Sequence, residues 1–356
     1  MLKTKMLSGL MVAALCGASL YTLSLAWAGG AAAPVTTGTP AADAQTTRAV
    51  AAANAFLGTL SAAQKKAVSF AFTDSAQRAR WSNFPTGIFQ RAGVRWGDLS
   101  AAQRTALMTL LGTVLSADGL KMVREQMNAD DVLKATDGGR LVFGSDEYSV
   151  SFLGTPSTTS PWMLQFGGHH LAINATVVGP NITLAPSLTG GQPIKTTQNG
   201  KTVIIVEKVP QEVKDAYAML SSLTSAQRTE AVISTQSIDL VLGPGQDNKT
   251  LQPEGLPGSA MTAAQKTRFL ALIRDRLGAL NADDLAPKMN AIQKNLDNTY
   301  FAWYGPTTAE GSAYFRVTGP TVLIEFSPQQ MGGDPANHIH SMYRDPQGDY
   351  GAAWTK

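Results

Sequence analysis

Leu60-Ser61-Ala62-Ala63-Gln64-Lys65 carries the start signal of a helix, and the same pattern returns three times along the chain. It recurs as Leu99-Ser100-Ala101-Ala102-Gln103-Arg104, Leu223-Thr224-Ser225-Ala226-Gln227-Arg228 and Met261-Thr262-Ala263-Ala264-Gln265-Lys266. Each copy reads as a capping box: the Ser or Thr hydroxyl accepts from the third helical amide, and the Gln accepts from the amide of the cap. The apolar residue before each cap suits a hydrophobic staple. Four helices are therefore predicted to begin near positions 61, 100, 224 and 262.

The spacing says more than the number. The caps lie 39 residues apart in the first pair (Ser61 to Ser100) and 38 in the second (Thr224 to Thr262), while the two pairs are offset by 163 and 162 residues. Such a shared period points to a repeated helix pair. A β-rich stretch repeats at the shorter offset of 151, with Tyr148 to Asn174 lining up against Thr299 to Glu325, Gly154 on Gly305 and Gly168 on Gly319. The first half then carries about a dozen more residues between helices and strands, which loops tolerate.

These patterns predict an α+β fold of two pseudo-symmetric halves, each a helix pair followed by mainly antiparallel β-strands, with the functional site in a cleft between them. The expected boundaries are 49–210 for the half carrying Gly-His-His and 211–356 for the half carrying His-Ile-His. Residues 202–206 (TVIIV) and 322–326 (VLIEF) read as buried strands. The Gly-Gly pairs starting at Gly138, Gly190 and Gly332 read as turns.

The first residues, Met1-Leu2-Lys3-Thr4-Lys5, precede an apolar run over 6–25 and then Ala26-Trp27-Ala28, the order of a secretory signal cleaved after Ala28. The alternative is an uncleaved membrane anchor. Residues 29–48 are rich in Ala, Gly, Thr and Pro and read as a flexible leader. The mature chain is expected to be exported, to a periplasm or the extracellular space. The single cysteine, Cys16, lies in the signal, so ligands to any metal must be His, Asp, Glu, Asn or backbone oxygen. The whole chain carries a formal net charge of +3, of which the signal contributes Lys3 and Lys5. A nearly neutral mature chain offers no electrostatic case for nucleic acid or an anionic membrane. A small-molecule substrate or ligand is the partner expected.

All four histidines fall in two clusters, Gly167-Gly168-His169-His170 and Asn337-His338-Ile339-His340. Imidazole is the commonest protein ligand for transition metals. On a strand, His338 and His340 share one face while Ile339 points the other way, which makes a bidentate clamp or, alternatively, two histidines on a half-exposed strand. A strand would direct only one of His169 and His170 inward. Glu325 interrupts an apolar run and is the acidic candidate, as a ligand or as a general base; an edge-strand Glu facing water is the plain alternative. Arg344 is a candidate for binding an anionic substrate group, and Asp345 or Asp349 for orienting a ligating His. A tight turn held by an internal Arg–Asp pair explains Arg344-Asp345-Pro346 through Asp349 equally well. No G-x-S-x-G, P-loop or H-E-x-x-H is present.

The joint occurrence of Gly168-His169-His170-Leu171, Gly319-Pro320-Thr321-Val322-Leu323-Ile324-Glu325 and Asn337-His338-Ile339-His340 through Arg344-Asp345-Pro346 and Asp349-Tyr350-Gly351 resembles the domain of unknown function numbered 3500. The resemblance covers about Ala49 to the end. Similar sequences often carry an acidic residue where this chain has Gly167, so that position offers no ligand here. The family implies a secreted protein and names no reaction.

The leading expectation is a secreted metalloprotein in which His169 or His170, His338 and His340 hold a divalent transition metal (Zn, Cu or Fe), with Glu325 and Arg344 beside it, acting as a hydrolase or oxidoreductase. The alternatives are a non-catalytic exported metal-binding or structural protein, and a metal-free site binding an anion.

Overall fold

The computed structural model describes residues 41–139, 141–308, 312–331 and 333–355. The signal segment and residues 29–40 of the leader lie outside the described residues. Among those described, no helix is long and apolar enough to cross a membrane.

In chain order the elements are α1 (Ala44–Thr59), α2 (Ala62–Val68), β1 (Ser69–Phe70), α3 (Ser75–Arg78), β2 (Val94–Arg95), α4 (Ala101–Val114) and α5 (Ala117–Thr136). Five strands follow: β3 (Ser149–Leu153), β4 (Trp162–Gly168), β5 (Leu171–Val178), β6 (Asn181–Thr183) and β7 (Ser187–Gly191). After the hairpin β8 (Lys195–Gln198) and β9 (Lys201–Ile204) come α6 (Lys208–Ser221), α7 (Ser225–Ala231), β10 (Val232–Ser234), β11 (Leu256–Pro257), α8 (Ala263–Leu277) and α9 (Ala282–Lys294). The chain ends in β12 (Tyr300–Tyr304), β13 (Tyr314–Gly319), β14 (Val322–Pro328) and β15 (Ile339–Arg344).

All four capping boxes form, at Ser61, Ser100, Thr224 and Thr262, and they head α2, α4, α7 and α8. The box glutamines also do something the motif does not predict: they meet in pairs. Gln103 donates to Gln64 at 3.0 Å and Gln265 donates to Gln227 at 2.8 Å, so each pair of helix starts is locked together. Two helices begin earlier than the boundaries drawn from sequence. Helix α1 starts at Ala44, inside the stretch read as leader, on an Asp43 cap that accepts from Thr46; α6 starts at Lys208 with no side-chain cap to announce it.

One 13-stranded, mainly antiparallel sheet runs β1-β3-β4-β5-β7-β15-β14-β13-β12-β10, with β2 on β3, β11 on β12 and β6 on β5. Only the outermost pairings, β1 with β3 and β10 with β12, are parallel. The expected cleft between two lobes is not what joins the two stretches. Instead β7 pairs directly with β15 in the middle of the sheet, Gly190 opposite His340. Gly190 is therefore not a turn residue: a Cβ there would lie 2.0 Å from the Ile339 carbonyl oxygen, so only glycine lets the central strands approach. Of the stretch 202–206, residues up to Ile204 form a strand of an exposed two-stranded hairpin, and only Ile205 and Val206 just after it are buried in the core; Val322–Pro328 is buried throughout as expected.

Side chains alternate across the sheet and so divide its two faces. Phe152, Leu164 and Ile173 pack on α1, α4 and α5, and Phe315, Ile324, Phe326 and Ile339 pack on α6, α8 and α9, with the indoles of Trp162 and Trp303 buried among them. Burial of each such side chain contributes about 1.5–3 kcal/mol. The opposite face, which carries Ala172, Leu188 and Met342 under Trp81, is covered by long connections rather than by helices. His340 belongs to this second face, on the same side of β15 as Met342.

Candidate metal centre

Within Gly167-Gly168-His169-His170 the two glycines end β4 and the two histidines form a two-residue hairpin turn into β5, not a strand: Gly168 pairs with Leu171, and His170 has a left-handed φ of 58°. Gly168 is required because a Cβ there would lie 2.5 Å from the Tyr148 ring. The turn sends its two imidazoles in different directions. His169 donates Nδ1–H to the carboxylate of the buried Asp130 of α5 at 2.7 Å, while Tyr148 donates its hydroxyl to the His169 carbonyl at 2.8 Å. His170 points toward the end of β15 where His338 and His340 stand.

There the Nε2 of His170 lies 3.0 Å from the Nε2 of His338 and 3.0 Å from the Nε2 of His340. The three residues are 2 %, 8 % and 6 % exposed. Among the described residues, this trio forms the group whose candidate ligand atoms all lie within 4.8 Å of one another. His169 and Glu325 are outside it. Ile339 turns the other way into the helix-side core, as the alternation required.

The protonation pattern fits a cation. His338 donates Nδ1–H to the Met331 carbonyl at 2.6 Å, which leaves a lone pair on its Nε2. A single N–H on His170 serves at most one of its two short contacts well, whereas three lone pairs aimed at one point are what a metal accepts. Burial, first among the causes, holds the imidazoles neutral: His170 is lowered well below its ordinary value, His338 is lowered, and His340 is pulled down to about 3, with repulsion between neighbouring imidazoles acting in the same direction.

Three supports around the trio carry no obvious signature in the sequence. Asn83 approaches His340 Nε2 with its side-chain amide at 3.3 Å, and its carbonyl accepts from the His170 amide at 3.3 Å. Arg91 clamps that segment to the histidine turn, donating to the carbonyls of Ser82, Phe84 and Gly168 at 2.6–2.8 Å; burial pulls its guanidinium down to about 10. Asp239 is fixed through Oδ1 by Gln329 at 2.9 Å and Ser327 at 3.3 Å, and Ser327 sits directly opposite His340 across the β14–β15 pair. Asp130 had a readable signal: it continues the buried Val123 and Met127 stripe of α5, an acid where an apolar residue belongs.

Glu325 and Arg344 are engaged elsewhere. Glu325 is fully buried, and its two oxygens accept from the amides of Val241 and Leu242 at 2.7 Å and from the Tyr314 hydroxyl at 2.7 Å. Arg344 donates to the carbonyls of Leu242 and Gly243 and to the carboxylates of Asp247 and Asp349. Both side chains therefore pin the 239–247 connection onto the sheet. Asp349 bonds Arg344 and the Asp345 amide, and Asp345 bonds Lys288, so neither aspartate orients a histidine. The turn held by an internal Arg–Asp pair is the reading that fits.

No curated protein and no solved structure matches this chain. The family model described as "Protein of unknown function (DUF3500)" matches residues 42–352, which span every element of the sheet and all four histidines. On that match, over nearly the whole chain, the protein belongs to the DUF3500 family.

Proposed function

We propose that this chain is an exported metalloprotein in which His170, His338 and His340 hold one divalent transition-metal ion, leaving a coordination position for an exogenous ligand. The observation that carries the reading is the meeting of three neutral Nε2 atoms at one buried point. Imidazole-only ligation suits Zn, Cu or Fe by ligand type. Among the described residues the group has three such donors, and three protein donors with an open position is the pattern of sites that react rather than merely brace. When bound, such an ion supplies Lewis acidity toward water or a substrate oxygen, or redox chemistry with dioxygen.

The protein's own groups position and dry the site. Met331 fixes the tautomer of His338, and the Asn83 carbonyl anchors the strained turn at His170. The basic start, apolar run and Ala26-Trp27-Ala28 triplet support export.

A second reading is a closed, non-catalytic site that fastens β15 to the β4–β5 turn, and Asn83 favours it: rotation of its amide would present an oxygen as a fourth donor. Cobalt(II)-substituted protein separates the two. The open site predicts a visible spectrum that shifts on adding azide; a spectrum indifferent to azide supports the closed site. Failure of cobalt to bind at all, or full binding to a His338→Ala/His340→Ala variant, rejects both.

A further inference from the structure

A cavity of about 580 Å3 lies away from the histidines, at the far end of the same sheet face. Its floor is one row of side chains across four strands: Tyr300 opposite Thr318, Thr318 opposite Leu323, and Leu323 opposite Arg344. The connection that Glu325 and Arg344 pin down forms one wall, with Leu242 and Leu251, and the segment after Arg344 forms the other, with Pro346 and Tyr350. That volume lies within the range of small-molecule sites, roughly 300–1,000 Å3.

The polar groups of the cavity are neutral and unused. Thr318 is 5 % exposed, yet its hydroxyl makes no hydrogen bond among the described residues. That hydroxyl is an unpaired donor and acceptor on the cavity lining, where a ligand can bond it. The Tyr300 hydroxyl and the side-chain amides of Asn248, Asn298 and Gln347 also line the space without partners among the described residues. Two of the charged lining groups are ion-paired, Arg344 with Asp247 and Asp349 and Asp345 with Lys288, while Lys249, exposed in the wall, donates to the Gln246 side chain. An ionic ligand would find no uncompensated counter-charge on the floor.

We propose that this cavity binds a neutral, polyhydroxylated ring molecule of mono- or disaccharide size. Hydroxyl and amide groups that both donate and accept match vicinal hydroxyls, and the tyrosine, leucine and proline surfaces match the C–H faces of a sugar ring. The proposal stands on its own geometry and does not depend on the metal.

The test is binding of glucose, maltose and cellobiose to the full chain, followed by saturation-transfer NMR and calorimetry, with glucose 6-phosphate as the charged comparison. At least one neutral sugar is expected to bind saturably, more tightly than the phosphate. Thr318→Val, which conserves volume, and Asn298→Ala, on the exposed rim, should each weaken that binding about fivefold while leaving circular dichroism unchanged. Absence of saturable binding by all three sugars, equal binding of the phosphate, or binding indifferent to both substitutions overturns the proposal.

Discussion

The rings of His169 and His170 lie with centroids 3.7 Å apart, tilted by 41°, yet they belong to separate networks: one is held by Asp130 of α5, the other faces His338 and His340. Adjacent histidines at a two-residue turn thus divide into one bonded to a carboxylate and one in the group that could hold a metal. His169→Ala should keep the metal while destabilising the fold by about 1–3 kcal/mol, because it strands the buried Asp130 carboxylate. Metal analysis beside denaturant unfolding checks this. Loss of metal from a folded His169→Ala protein would place His169 among the ligands.

Glu325 tests whether a buried acid outside the histidine group has any part in metal binding. Glu325→Ala leaves two buried amides and a tyrosine hydroxyl without their acceptor, so a loss of roughly 3 kcal/mol or more in unfolding free energy is expected, with metal content unchanged. A stable variant that no longer binds metal would return Glu325 to the site.

Metal-free protein should lose stability on acidification. Free imidazole titrates near 6.5, and burial lowers the folded value of His340 to about 3. Between those values the unfolded chain takes up a proton that the folded chain refuses. The contribution is complete above pH 6.5 and is lost as pH falls toward 3, by about 1.4 kcal/mol per pH unit for His340 alone. Unfolding of chelator-treated protein from about pH 7.5 to about pH 5 should therefore show a steeper fall for the wild type than for His340→Asn. Parallel profiles would mean that His340 is not held neutral by burial.

The paired capping boxes give a fourth prediction. Gln103→Ala and Gln265→Ala each remove a cap bond and a bridge to the neighbouring helix start, and should lower stability by similar amounts, about 1–2 kcal/mol each, without affecting metal. Thermal unfolding checks it. A negligible effect of either would show that its pair does not hold the helices.

What was readable in the sequence follows from how local the physics is. A capping box is complete within four residues, so all four helix starts were legible, and H-x-H alternation correctly sent Ile339 to the core. The division between His169 and His170 depends on a left-handed turn and on Asp130, some forty positions away in the chain. Glu325 was legible as a buried acid needing partners, but those partners are backbone amides of a connection, which no side-chain pattern announces. Asn83 reaches His340 only because Arg91 folds its segment over the sheet. The halves were expected to face each other across a cleft; the β7–β15 pairing that joins them depends on close approach at Gly190, which reads in sequence like any other Gly-Gly turn.

The most direct measurement is the metal content of untagged protein, determined by elemental analysis after exposure to zinc, copper and iron in turn. The wild type should hold close to one ion per chain and folded His170→Ala none. A wild type that retains no ion from any of the three, or a His170→Ala protein that retains a full equivalent, would contradict the account.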